Sequence, residues 1–173
     1  MKSFKMLVVL AVLLQFGILG WMIYTDSLPA RTGRVITVQT VPVDPRDLFR
    51  GDYVILNYEF NQPQDWRYRM NKGYPMYAIL KKSPDSEIWV YDKIVSQRPT
   101  PETLGEDRIY LAGISRWWRV EYGIEQFFVQ EGKGKDLEKA MRWTSEEEQT
   151  PVLVDLYVTA DGRAAVKEAR FAK

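Results

Sequence analysis

The chain contains no cysteine and no histidine. Their absence removes thiol nucleophiles, disulfides, Cys/His zinc sites, imidazole bases and both usual triad arrangements. A surplus of either charge is missing too: 24 Lys and Arg stand against 23 Asp and Glu in 173 residues, a formal net charge of +1. Nucleic-acid binding driven by counterion release needs a basic footprint on one face, and none is visible, so no nucleic acid is expected as a partner. A chain without thiols suits oxidising and reducing compartments equally, which leaves cysteine usage silent on location. What remains is the length of one globular unit without internal repeats, low-complexity segments or any sign of a cofactor.

Charge is also missing from one long stretch. Met6 to Tyr24 (MLVVLAVLLQFGILGWMIY) runs 19 residues without an ionisable acid or base of the Asp, Glu, Lys or Arg kind. As a helix it covers roughly 28 Å, close to the hydrocarbon thickness of a bilayer, and Trp21 and Tyr24 fall where aromatic rings settle at an interface. A cleaved signal peptide shares the basic start (Lys2, Lys5), but its apolar region is shorter and ends in a small-x-small site. Here the exit reads Thr25-Asp26-Ser27-Leu28-Pro29-Ala30, a poor cleavage site. The expectation is an uncleaved anchor at 6–24 in the lipid bilayer, with residues 1–5 as a short cytoplasmic tail, 25–33 as a linker and 34–173 as an ectodomain. Arg31 and Arg34 offset the two lysines, so orientation rests on the shortness of the tail. Gln15 is the lone strongly polar residue of the span. A tolerated lipid-facing amide is its plainer reading, a hydrogen bond to a partner helix near Gly17 and Gly20 the functional one.

Beyond Arg34 the pattern changes to short stretches rich in Val, Ile, Tyr and Trp, divided by Pro and Gly, which predict strands. They are Val35 to Val43, Tyr53 to Phe60, Met76 to Lys81, Ile88 to Val95, Ile109 to Ile114, Trp117 to Tyr122 and Glu125 to Gln130. In the second, Val54, Leu56, Tyr58 and Phe60 share the apolar face. Lys135 to Glu147 predicts one amphipathic surface helix. Val152, Val154, Leu156 and Val158 alternate inward, and Asp161-Gly162 turns the chain back toward a partner strand over Arg163 to Phe171. These elements predict a mainly β fold: a transmembrane helix, then an antiparallel β-sandwich or partly open barrel with one short surface helix.

The densest segment runs from Val41 through Asp44-Pro45-Arg46-Asp47-Leu48-Phe49-Arg50 to Gly51-Asp52-Tyr53-Val54-Ile55-Leu56-Asn57-Tyr58. Asp44-Pro45 and Gly51-Asp52 are turn-forming pairs, so a tight crossover neutralised by its own arginines explains it structurally. The functional reading makes Arg46, Asp47, Arg50 and Asp52 a charged lip where a partner docks. Gly51 to Tyr58 matches every fixed position of the GDYXXLXY motif, and the chain resembles the family of bacterial membrane-anchored proteins that bears that name. Tyr122-Gly123-Ile124-Glu125, Phe128-Val129, Glu131-Gly132, Gly134 and Leu137-Glu138 resemble its later segment, and Asp161-Gly162-Arg163-Ala164 its terminal hairpin. The resemblance implies a bacterial membrane anchor and a polytopic membrane protein as partner; with the short tail inside, the expectation is the bacterial cytoplasmic membrane with the C-terminal domain outside the cytoplasm. It supplies no catalytic residues and no ligand.

Trp117-Trp118, between Arg116 and Arg119, is the other candidate contact. On a strand the two indoles point to opposite faces. Core packing of both is the plainer reading, and an exposed one would dock on lipid, a membrane partner, a sugar or a peptide. An anchor followed by Ser27-Leu28-Pro29 and Gly51-Asp52-Tyr53-Val54 resembles type I signal peptidases, but the serine lies too far ahead of the Gly-Asp pair. Ser27 with Lys72, Lys81 or Lys93 as base is the chemistry that reading would need. Glu131-Gly132-Lys133-Gly134-Lys135 lacks the rest of a phosphate-loop signature and reads as a helix entry. Glu146-Glu147-Glu148 reads as a solvated run rather than a cation site. The sequence thus points to a membrane-anchored, non-catalytic binding or assembly module, with a membrane-tethered hydrolase using a Ser/Lys pair or carboxylates as the alternative.

Overall fold

The computed structural model of the chain describes residues 2–41, 53–62, 72–105, 107–128 and 152–171. Leu, Val, Ile and Phe in an uninterrupted run offer the backbone no polar side chain to compete with helical hydrogen bonds. Helix α1 (Lys2–Thr32) accordingly takes in the whole apolar stretch. It continues through the segment expected as a linker, so 25–32 is helical rather than extended. Pro29 stands in the last turn of the helix, where it has no N–H to give the Thr25 carbonyl, and the helix ends three residues later. Thr25 and Ser27 turn their hydroxyls onto the helix's own carbonyls, those of Trp21 (3.0 Å), Met22 (2.9 Å) and Tyr24 (2.9 Å). From Phe4 to Tyr24 every side chain is exposed, including Gln15, and Gly17 and Gly20 face open space. This is a helix long and apolar enough to cross a membrane.

The strands follow in the order β1 (Arg34–Gln39), β2 (Tyr53–Ile55), β3 (Pro75–Lys82), β4 (Ile88–Val95), β5 (Arg108–Arg116), β6 (Arg119–Glu121), β7 (Gln126–Phe128), β8 (Val152–Val158) and β9 (Ala164–Phe171), with a four-residue helix α2 (Pro101–Leu104) before β5. Seven form one sheet in the order β6-β5-β3-β4-β1-β8-β9, and β2 pairs with β7 in a second small sheet. The large sheet is curled into a half-barrel, the partly open form of the expected fold. All its pairs are antiparallel except β1 and β4, where Thr37 lies opposite Ile88 and Val38 opposite Trp89 in parallel. The chain between β1 and β4 is long enough to return in either direction, and side-chain alternation is blind to strand direction.

One face of the curl is the core. Ile36 and Val38, Ala78 and Leu80, Leu111, and Val152, Val154, Leu156 and Val158 point into it. Leu56, Tyr58 and Phe60 fill its opening and are buried despite lying beyond the end of β2. The expected strand over 53–60 therefore keeps its ladder only to Ile55, while Leu56, Tyr58 and Phe60 keep the inward alternation: the Leu56 N–H bonds the Glu125 carbonyl (2.8 Å), Asn57 makes a single bridge to Val41, and Glu59–Asn61 coil into a 3-10 turn.

The gap of the half-barrel is bridged by the β8–β9 turn. The Gly162 carbonyl accepts from the Ala112 N–H on β5 at 2.8 Å, and the Ala160 carbonyl accepts from the Tyr110 hydroxyl at 3.1 Å. Gly162 has φ +82°, and a Cβ there would stand 2.5 Å from the Tyr110 ring, so this turn admits glycine alone. Gly33 meets a different constraint: a Cβ would lie 2.4 Å from the Pro29 carbonyl oxygen and 2.9 Å from the Val158 nitrogen. Glycine here lets α1 end directly on β8 without a spacer. The expected surface helix over 135–147 lies outside the described residues; α2 arises from Thr100-Pro101, an N-cap followed by proline at the first helical position.

Candidate functional site

Among the described residues, three places that bring polar or exposed aromatic groups together stand out. The first is a buried knot where the two halves of the resemblance meet. Asn61, 2% exposed, accepts the Tyr58 N–H on its Oδ1 (2.9 Å) and donates its Nδ2 to the Val120 carbonyl (2.9 Å) and to Glu125 Oε1 (3.0 Å). Glu125, also buried, accepts the N–H groups of Tyr122 (2.6 Å) and Gly123 (2.9 Å). Tyr58 and Tyr122 donate their hydroxyls to the carbonyls of Ile124 (3.2 Å) and Phe60 (3.1 Å). Phe60 stacks on Tyr58 and meets Tyr122 edge-on, at centroid separations of 4.9 and 5.3 Å. Burial pushes both phenols far above their usual pKa; the Glu125 carboxylate adds to this at Tyr58, and Tyr91 and then Glu125 add to it at Tyr122. Both stay neutral donors. Every polar group named here is occupied by another, so the knot is built to hold Leu56-Asn57-Tyr58 against Tyr122 to Glu125 rather than to react. The Glu in the Tyr-Gly-Ile-Glu block was visible as part of the resemblance; Asn61 carried no sequence signal.

The second is the β5–β6 hairpin tip. Trp117 and Trp118 are not strand residues with one indole in the core. Arg116 pairs directly with Arg119, which leaves the two tryptophans as a two-residue turn, 67% and 68% exposed. Both the opposed-face and the core-packed expectation are thereby overturned, because a turn carries its side chains off the sheet altogether. Among the described residues Trp117 is the only non-glycine with positive φ, at 58°. A positive φ at the first turn position alone is the type II′ pattern, in which glycine is the favoured residue. The arginines are held back along the strands by Glu121, which accepts from Arg119 Nη2 (2.8 Å) and Nε (3.2 Å) and from Arg116 Nε (3.1 Å). The Arg119 hydrogen bond foremost, and then the charges of the two arginines with the Arg116 bond, outweigh partial burial and hold the Glu121 carboxyl below its usual pKa. The tip is thus two bare indoles on a salt-bridged stem, with a surplus positive charge.

The third is a groove of about 840 Å³ between the end of α1, the β4–β5 connection and the β8–β9 turn. Its walls include Thr32, Arg34, Arg98, Thr100, Arg108 and Tyr110. Arg98 donates Nε to the Tyr110 hydroxyl at 3.0 Å, Arg34 lies with its guanidinium 5.1 Å from the centre of the Trp89 ring, and Arg108 is paired with Asp92 at 3.3 Å. In the sequence Arg34 bears only on orientation, and Arg98 and Arg108 carry no signal. Residues from four separate stretches line the groove, and no local motif announces that.

The charged lip of Arg46, Asp47, Arg50 and Asp52 lies outside the described residues, as do Glu131 to Lys135 and Glu146 to Glu148. Ser27 is inside α1 with its hydroxyl on the Tyr24 carbonyl. Lys81 is ion-paired with Asp92 at 3.6 Å, Lys93 lies exposed on β4 and Lys72 in the turn before β3. Among the described residues no lysine is hydrogen-bonded to Ser27, and no group of three or more carboxylates converges on one point.

A family model described as "GDYXXLXY protein" matches residues 15–168, from within α1 to within β9. No curated protein and no solved structure matches the chain.

Proposed function

The chain belongs to the GDYXXLXY family, and from that premise we propose that it is a membrane-anchored, non-catalytic binding or assembly module whose partner is a polytopic protein of the same membrane. In this reading α1 lies in the bacterial cytoplasmic membrane and the half-barrel stands outside the cytoplasm. The observation that carries it is the β5–β6 tip: two large apolar rings are exposed at adjacent positions, one of them in a backbone conformation that tryptophan adopts only at a cost. Backbone strain of about 1–3 kcal/mol at an exposed site has no folding benefit and is a mark of function. Tryptophan beside arginine is also the pairing that dominates protein interfaces, where desolvated aromatic anchors supply most of the binding energy.

The hydrolase alternative gains no support from the geometry. A nucleophile needs a base within hydrogen-bond reach, and the Ser27 hydroxyl is spent on its own helix.

The test is site-specific photo-crosslinking in intact membranes with the probe at Trp118, compared with a probe on exposed Lys93. A discrete adduct with a multi-spanning protein at 118, weakened in Trp117→Ser, supports the reading. Identical adducts from both positions, or none at 118, would sink it. Protease added to spheroplasts tests the orientation: digestion of the half-barrel is expected, and its full protection would reverse the proposed topology.

A further inference from the structure

The groove at the end of α1 is the feature the proposed function leaves unused. We infer that it is a binding site for the phosphate-bearing headgroup of an anionic phospholipid, held between Arg34 and Arg98. The inference rests on the reading of α1 as a membrane span and adds a ligand to it.

Three observations lead there. Arg34 and Arg98 have no ion-pair partner among the described residues, while Arg108 on the same wall is matched by Asp92. Each open guanidinium is fixed by a neutral aromatic neighbour, Trp89 for Arg34 and the Tyr110 hydroxyl for Arg98, which orients the group without cancelling its charge. The acidic group that acts on Arg98 is Asp161, and its carboxylate is already engaged by the Thr159 hydroxyl and by Arg163 at 2.8 Å. The groove therefore offers two oriented forks to an oxyanion, the geometry with which arginine recognises phosphate.

Height decides the source of that phosphate. The apolar run ends at Tyr24, and the eight further helical residues to Thr32 rise roughly 12 Å along the axis. The polar layer of a bilayer extends about 5–7 Å beyond the hydrocarbon on each side. With ordinary helix tilt the mouth of the groove stands just above the headgroups, within reach of long arginine side chains. A soluble anion would have to compete there with a surface densely covered in tethered phosphates. The carbonyl end of α1 opposes an anion at Thr32 itself, which places the headgroup toward the Arg98 wall.

The test uses the full chain in nanodiscs of phosphatidylcholine alone or with one-fifth phosphatidylglycerol. Insertion, read by protection of α1 from added protease, reports on the anchor independently of the groove. Lipid retained after extraction, counted by native mass spectrometry, is expected to favour phosphatidylglycerol, and Arg34→Gln/Arg98→Gln should lower that preference at least tenfold. The double variant should leave insertion and melting unchanged, and Arg34→Lys/Arg98→Lys should recover only part of the preference, since a lysine cannot present a fork. Equal retention of both lipids, an unchanged preference in the glutamine variant, or displacement of the lipid by millimolar glycerophosphate would overturn the inference, the last by pointing to a soluble ligand.

Discussion

Replacing Asn61 by leucine removes the centre of the buried knot while keeping the branched outline of the side chain. The Tyr58 N–H and the Val120 carbonyl each lose their side-chain partner, and Glu125 Oε1 loses one of its donors. A buried backbone group left unsatisfied costs about 1–3 kcal/mol, and a hydrogen bond to a charged acceptor about 1.5–3 kcal/mol. Three such losses sum to roughly 3.5–9 kcal/mol before relaxation. Glu125 keeps the Tyr122 and Gly123 N–H groups, and a water molecule can reach part of the site, so a net cost of about 3–5 kcal/mol is expected. Against the roughly 5–15 kcal/mol that holds a typical domain together, that leaves a fold near its threshold. At 2–4 °C per kcal/mol for a chain of this size, the melting midpoint should fall by roughly 10–15 °C. The assay is near-UV circular dichroism of the full chain in detergent on heating, with Asn57→Leu as the control. Asn57 undergoes the same chemical change at a half-buried position with only a backbone bridge to Val41, and should cost less than about 1 kcal/mol. A midpoint for Asn61→Leu within 3 °C of the control would refute the claim that the knot ties the motif segment to the half-barrel.

Trp117→Gly should raise stability by about 0.5–1 kcal/mol, because the release of positive-φ strain exceeds the entropy glycine adds to the unfolded chain; denaturant midpoints measure it, and a loss would mean the indole packs on something. The same variant should lose the crosslink at the tip, so that stability and binding move in opposite directions. Gly33→Ala should destabilise by about 2 kcal/mol or more, since both atoms its Cβ would strike are backbone; an unchanged midpoint and no new proteolysis between α1 and β1 would contradict the close seating. For Glu121 the sign follows from a folded pKa below the unfolded one. Its contribution is fully present above the unfolded value near pH 4.5 and is lost as pH falls through the lower folded value. Glu121→Gln should therefore flatten the decline of the melting midpoint below pH 4.5, and an acid limb as steep as that of the native chain would rule out its role at the tip.

The sequence by itself determined the parts of this protein that depend on local pattern. Nineteen residues without charge can satisfy their backbone in a low-dielectric setting only as a helix, and α1 follows. Strict alternation in Val152 to Val158 set which side chains face the core, and the structure buries all four. The eight-residue motif and the later Tyr-Gly-Ile-Glu block announced the family, and the burial of Leu56, Tyr58, Tyr122, Ile124 and Glu125 explains why those residue types stand there. Tertiary structure alone decided what depends on partners distant in the chain. The parallel pairing of β1 with β4 leaves no trace in alternation, because a side chain's face does not encode its strand's direction. Trp117-Trp118 reads as strand from composition, since tryptophan favours strands. Whether it became strand or turn was settled by the register that sets Arg116 opposite Arg119 and leaves no room for a longer loop. The arginine groove is the extreme case: its walls come from the helix end, the β4–β5 connection and the β8–β9 turn, and they converge only because the Gly162 turn folds back onto β5 across the gap of the half-barrel.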